Sequence, residues 1–222
     1  MKGKILFVVT SHGELGDTGR KTGYFLSEVT HPYSVLHKDW QIDFVSPQGG
    51  EPPVDGFDLN DSINALYWND PEWQYKIQNT MTPDEINPSE YKAIFYAGGH
   101  GAMWDFPDNN KLAQIARQIY ESGGFIAAVC HGPAGLLPIK LENGHYLIES
   151  KHLDSFTNAE EKANGTENIV PFLLQMALTN QGAIFDEAPN WADHVVVDGR
   201  LITGQNPYSA LSLGKKLLEL LG

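Results

Sequence analysis

Residues 123–137 read GGFIAAVCHGPAGLL. Two glycines open the stretch, an apolar block follows, the chain's only cysteine ends that block, and His-Gly-Pro comes next. A short unbroken apolar run bounded by turn residues is the pattern of a strand buried on both faces. Gly-Pro after Cys130 and His131 marks a helix start, because proline suits the first helical position. Cys130 therefore falls at a strand-to-helix turn. Ala128-Val129-Cys130-His131-Gly132 has the outline of a nucleophile elbow, with alanine in place of the first glycine. A helix start aims N–H groups at the sulfur, which lowers a thiol pKa from ~8.5 to roughly 3.5–7.5. The competing assignment is a buried structural cysteine, the common fate of a lone Cys in an apolar strand. The strand-end place and the His-Gly-Pro that follows favour the nucleophile.

The same pattern recurs along the chain. KILFVVT (4–10), QIDFVSP (41–47), YKAIFYAGG (91–99), GFIAAVC (124–130) and HVVVDGRLIT (194–203) read as strands. Helical periodicity lies between them, over 22–40, 110–124, 166–182 and 206–222. Leu112, Ile115, Ala116 and Ile119 share one helix face, and Gly123 caps its end. Asn206 is the N-cap of the last helix, with Pro207 at its first position. Thr166 opens the helix over 166–182, with Pro171 near its first turn. Pro32 should break or kink the first helix after Thr30. This alternation predicts an α/β fold: a doubly wound, mostly parallel sheet with helices on both faces. A chain of 222 residues suits one domain, 1–222. The segment 48–90, rich in Pro, Asn, Asp and aromatic residues, reads as a surface excursion.

Composition narrows the function classes. Apolar residues make up 41% and charged residues 19%, a folded rather than a disordered composition. Fifteen Lys and Arg against 28 Asp and Glu give −13 at pH 7. Such a field repels phosphate backbones and anionic lipid, which argues against nucleic acid and membrane surfaces as partners. One cysteine makes no internal disulfide. The N-terminal apolar run is too short for a signal peptide, and no run suits a membrane span. The expectation is a cytoplasmic protein.

In open α/β sheets ligands bind beyond the carboxyl ends of the strands. Four such exits here carry Gly-containing polar turns: TSHGELGDTG, AGGHGAMWD, VCHGP and TGQNP. The alternative is a set of ordinary loops, which also use glycine and polar residues. His131 is the base nearest Cys130. The N–H groups of Gly99 and His131 are candidate oxyanion donors, and His100 is a wall residue or substrate contact. Glu14, Asp17, Glu28, Glu160 and Glu161 are candidate carboxylates, and pattern alone does not choose among them.

Several segments together resemble the ThiJ/PfpI superfamily: KTGYFLSEVTHPY (21–33), DFVSPQGG (43–50), YAGGHGAMWDFPD (96–108), AAVCHGPAGLL (127–137), SFTNAEE (155–161) and VVDGRLITGQNPYSA (196–210). The likeness spans nearly the whole chain and is strongest to the glutathione-independent glyoxalase III branch. It implies a flavodoxin-like fold related to class I glutamine amidotransferases. It also implies a triad of Cys130, His131 and Glu161, with Glu160 one step away as the alternative, and Glu28 as fourth member beside the sulfur. The reaction implied is methylglyoxal to lactate, with small aldehydes such as methylglyoxal and glyoxal as substrates. The resemblance further implies a homodimer and no metal or organic cofactor. It predicts that Cys130→Ser and Glu28→Gln abolish turnover.

Rival functions reuse the same features. A glutamine amidotransferase needs a His-x-Glu element after a late strand, and TGQNPYSA has no histidine. A deglycase or peptidase would use the same cysteine. A holdase chaperone would need an exposed apolar patch, for which Tyr67, Trp68, Trp73 and Tyr75 are candidates, though ordinary packing explains them better. A redox sensor would lack a resolving cysteine. His31 is assigned to the break at Pro32 with a possible face toward the site, and His12 to the first loop as a substrate or metal contact. His37, His145, His152 and His194 are assigned to surface or structural roles.

Overall fold

The structure is a computed structural model that describes residues 1–222. Six strands form the central sheet in the order Gln41–Val45, Lys4–Val8, Tyr91–Tyr96, Phe125–Val129, Leu201–Gly204 and Val195–Asp198. The first five run parallel, and only Val195–Asp198 is antiparallel to its neighbour. The parallel strands thus follow the flavodoxin-like order 2-1-3-4-5. Strand alternation fills two cores. Leu6, Val8, Ile94, Tyr96, Ile126 and Ala128 face one side, packed against helix Asn110–Glu121. Ile5, Phe7, Phe95, Ala127, Val129 and Ile202 face the other, against helices Leu26–Leu36 and Ala210–Leu221. Burial on both faces is why these strands read as unbroken apolar runs. Helices Ser62–Trp68 and Pro71–Gln78, within 48–90, bury Tyr67 and Trp73 against the second core, while Tyr75 stays exposed.

Three expectations fail locally. Residues 194–203 form a hairpin, not one strand: Val195–Asp198 pairs antiparallel with Leu201–Gly204 across a turn at Gly199, whose φ is +61°. The Asp-Gly pair inside the run is the hairpin signal. The helix over 166–182 is confined to Leu174–Asn180. Thr166 cannot open it because its backbone N–H and hydroxyl are both bonded to Glu161, closing the preceding helix Asn158–Asn164. Nor does Pro32 break the first helix, which starts after the short strand Tyr24–Phe25 and runs unbroken from Leu26 to Leu36. A Cβ on Gly214 would lie 2.7 Å from Pro32 Cα, so helix Ala210–Leu221 packs backbone to backbone over this proline. That packing and the buried Tyr33 and Leu36 beyond it outweigh the ~3 kcal/mol that an interior proline costs.

Candidate active site

Strand Phe125–Val129 delivers Cys130 into a sharp turn with φ at +59°, a left-handed conformation that non-glycine residues rarely adopt. Two backbone bonds impose it: Cys130 N–H donates to Gly204 O at 2.8 Å, and Phe156 N–H donates to Cys130 O at 2.8 Å. Gly132 completes the turn, since a Cβ there would sit 2.2 Å from Tyr96 O. The elbow geometry expected from the sequence is present, and it turns Sγ into a cleft of about 910 Å³. The expected helix after it is absent. A five-residue 3₁₀ turn, Gly132–Leu136, follows instead. So short an element supplies little dipole. Burial pushes the Cys130 thiol well above its ordinary value, and the Gly99 N–H facing the sulfur only partly opposes it. Burial at this turn thus runs against the lowered thiol pKa expected from the sequence.

Glu28 lies in the first turn of helix Leu26–Leu36 and is fully buried. Gly98 N–H donates to its Oε2 at 2.7 Å. Its Oε1 meets no other nitrogen or oxygen of the chain and is left to the Cys130 thiol. Burial raises the carboxyl to about 8, against the lowering influence of Cys130 and the Gly98 N–H. At neutral pH Glu28 therefore keeps its proton. Position 98 must be glycine here, since a Cβ would stand 2.5 Å from Glu28 Oε2 and 2.8 Å from His131 N.

His131 also meets the sulfur, with Nδ1 3.3 Å from Sγ. Its Nε2 is 2.8 Å from Glu161 Oε2. The other Glu161 oxygen meets His100 Nε2 at 2.7 Å and the Thr166 hydroxyl. Burial disfavours charge on Glu161, but His131 and His100 outweigh it and hold the carboxyl well below the usual carboxylate range. Burial, and then His100, lower His131 despite Glu161. A neutral His131 beside a charged Glu161 places the ring proton on Nε2, which leaves Nδ1 free to accept from the thiol. His100 is drawn into this network: its ring centroid is 4.1 Å from that of His131, and it also lines the cleft.

The structure separates the two adjacent glutamates. Glu161 faces His131, whereas Glu160 turns away and caps its own helix in a capping box with Thr157. Thr157-x-x-Glu160 is a sequence signature of that box, and it could have assigned Glu160 to the helix start. His31 is half-buried, lines the cleft and meets Asp61 Oδ2 at 3.1 Å. Glu14 pairs with Lys21, and Asp17 sits in a 3₁₀ turn, Gly16–Thr18. His12 stacks on Trp104, His37 meets the Tyr67 hydroxyl, and His145, His152 and His194 pair with Glu149, Asp186 and Asp154. Ligand atoms of His100, His131 and Glu161 lie within 4.8 Å of one another, a spacing a metal ion could use. Both Nε2 atoms, however, are already bonded to the Glu161 oxygens. No helix is long and apolar enough to cross a membrane.

Comparison with known proteins places relatives along the whole chain. The DJ-1/PfpI family model matches residues 21–220. The "Glutathione-independent glyoxalase HSP31" of Saccharomyces cerevisiae is 32% identical, with 98% of each chain covered. "Glyoxalase 3" of Candida albicans is 30% identical, with 97% of each covered. Among solved structures, the rapid encystment protein of Francisella tularensis superposes with a TM-score of 0.95 at 39% identity over 99% of both chains. The glyoxalase III of Candida albicans superposes at 0.91 and 28% identity, covering 98% of this chain and 97% of that one. With the family model spanning nearly all of the sequence and full-length relatives above the level where homology is in question, the chain belongs to the DJ-1/PfpI family.

Proposed function

We propose that the chain is a glutathione-independent glyoxalase that converts methylglyoxal to lactate through Cys130. The observation that carries this is one line of contacts: Sγ to His131 Nδ1 at 3.3 Å, and His131 Nε2 to Glu161 at 2.8 Å. Full-length relatives named as glyoxalases support the substrate class.

The buried thiol is activated on demand, not ionised in advance. As Sγ attacks the aldehyde carbon C1, the S–H proton passes to Nδ1, and Glu161 stabilises the imidazolium that forms. The donors for the new C1 alkoxide are the N–H of Gly99, which faces the sulfur, and that of His131, next in the chain after Cys130. Protonation of that oxygen gives a hemithioacetal. His131 then takes the C1 hydrogen as a proton, and the C1–H electron pair forms an enediol with C2, whose oxygen takes the proton held on Glu28. Return of a proton to C2 and collapse of the C1 hydroxyl to a carbonyl leave a lactoyl thioester on Cys130. Water adds to that carbonyl, the C–S bond breaks, and lactate leaves. The sum is methylglyoxal plus water to lactic acid, with no oxidant or reductant.

The test is lactate formation from methylglyoxal in glutathione-free, metal-free buffer. Lactate from the parent chain and none from Cys130→Ser is the expected result. Undiminished lactate from Cys130→Ser would sink the mechanism. A second reading has one observation in its favour: about 910 Å³ is room for a drug-sized ligand, far beyond a three-carbon aldehyde. That size favours a larger carbonyl substrate at the same cysteine, as a deglycase or peptidase would use. Release of an acyl or sugar group from a modified peptide, with no lactate from methylglyoxal, would select it.

A further inference from the structure

Trp191 carries no sequence signal, yet three features of the structure converge on it. Its φ is +67°, in the left-handed region. A bulky residue stays there only where its surroundings impose the conformation. What imposes it is Glu160, whose Oε1 accepts from Trp191 N–H at 2.8 Å. The same oxygen accepts from Gln205 Nε2 at 3.0 Å and Asn206 Nδ2 at 2.9 Å, while Oε2 accepts from the Thr157 N–H and hydroxyl at 3.0 and 3.1 Å. Five donors on one fully buried carboxyl are more than a helix cap requires. They join three segments: the helix that carries Glu161, the loop that carries Trp191, and the exit of strand Leu201–Gly204.

Trp191 as a residue is 39% exposed, yet its ring packs on a neighbour. Its ring centroid lies 5.6 Å from Phe156, and Phe156 lies 4.5 Å from His131. Trp191, Phe156, His131 and Cys130 all line the cleft, while Arg20, Lys21 and Asp55 on the same lining are charged. The aromatic row is thus an apolar wall leading to the sulfur.

Resting on the glyoxalase reading above, we infer that Trp191 determines specificity: with Phe156 it receives the carbon substituent of a 2-oxoaldehyde, and Glu160 is the positioning residue that holds it there. Glyoxal has no such substituent, methylglyoxal has a methyl group and phenylglyoxal a ring. An apolar contact that a methyl group gains in a pocket changes kcat/KM by about tenfold or more.

The experiment compares kcat/KM for the three aldehydes in the parent, Trp191→Gly, Trp191→Phe and Glu160→Gln. Glycine suits the positive φ and removes the ring; Trp191→Asn does the same should the glycine variant fail to fold. The expected result is that the methylglyoxal-to-glyoxal ratio falls about tenfold in Trp191→Gly, and the phenylglyoxal-to-glyoxal ratio falls further. Trp191→Phe should restore most of both. Glu160→Gln should lower both ratios by a smaller factor, chiefly through KM, because an amide nitrogen cannot accept the hydrogen bonds one carboxyl oxygen now takes. Ratios equal to the parent's in the ring-less variants would overturn the inference, whatever happens to the absolute rates. If the parent turns over none of the aldehydes, the glyoxalase reading fails and a second readout decides the wall. Cys130, the only thiol, is alkylated with phenacyl bromide and with iodoacetamide. A several-fold drop in the aryl-to-amide rate ratio on removing the indole keeps the wall, and an unchanged ratio removes it.

Discussion

Two buried glutamates serve the same sulfur, Glu28 directly and Glu161 through His131, and their surroundings push their pKa values in opposite directions. Glu28, on helix Leu26–Leu36, meets one backbone N–H and a thiol, so burial wins and raises it to about 8. Glu161, on helix Asn158–Asn164, meets two imidazoles and a hydroxyl, so its partners win and hold it charged. Burial alone therefore does not assign a role; the neighbours do. The Glu28 side stores a proton, and the Glu161 side stores a negative charge that orients a base. Pairs of carboxylates pushed apart in this way mark acid and base functions in many enzymes.

The strongest way to break the comparison is Glu28→Gln, which fills the same space and cannot exchange a proton. Turnover of methylglyoxal should be abolished. Stability should move the other way. A carboxyl whose folded value is raised contributes stability below its unfolded value near 4.5, and that contribution is lost as pH rises through about 8. The parent should thus weaken between pH 5 and 9 by a few kcal/mol, and Glu28→Gln should not. Urea melts at pH 6 and 9 check this; equal pH dependence in both proteins would place Glu28 as an ordinary ionised carboxylate.

Glu161→Gln tests the other side. It leaves His131 in place and removes the charge that fixes its tautomer, so kcat should drop by about 10³-fold. Here the linkage has the opposite sign. A carboxyl with a lowered folded value stabilises the fold above its unfolded value near 4.5, and that stability is lost as pH falls below it. The variant's stability should be flatter than the parent's over pH 2–5 and similar in slope above. Acid unfolding followed by circular dichroism reads this directly.

How much of this arrangement the sequence disclosed differs between the two sides. The strand ending in Cys130 was legible because both its faces are buried and its turn needs glycine, and each leaves a local pattern. The doubly wound sheet was legible for the same reason. Glu28 and Glu161 were not legible from pattern, since a glutamate in a helix reads alike whether it faces solvent or a sulfur 102 residues away in the chain, as Glu28 and Cys130 do. Their assignment came from family resemblance. The helix expected after Cys130 is absent although its turn looks like a helix start, and only the fold shows that the element ends after five residues. Pro32 misled because the contact that keeps its helix intact is Gly214, far along the chain. Trp191 left no trace, because positive φ at a tryptophan is imposed by distant donors and acceptors.

That Pro32–Gly214 contact supplies the mildest test, since it bears on the Glu28 side alone. A Cβ at Gly214 would lie 2.7 Å from Pro32 Cα, 2.9 Å from Pro32 Cβ and 3.1 Å from Val35 Cγ2. The nearest of these is backbone, so helix Leu26–Leu36 must shift to admit a methyl group. Gly214→Ala gains ~1 kcal/mol of helix propensity. Overpacking costs about 1–3 kcal/mol against it. The net effect should be a loss of about 1 kcal/mol, which lowers Tm by about 2–4 °C in a chain of this size. Because Glu28 rides on the displaced helix, kcat should fall several-fold while the acid limb set by Glu161 stays where it was. A Gly214→Ala protein with higher Tm and parental kcat would mean that the two helices adjust without moving Glu28, and that the proton-storing side is less tightly held than the charge-storing one.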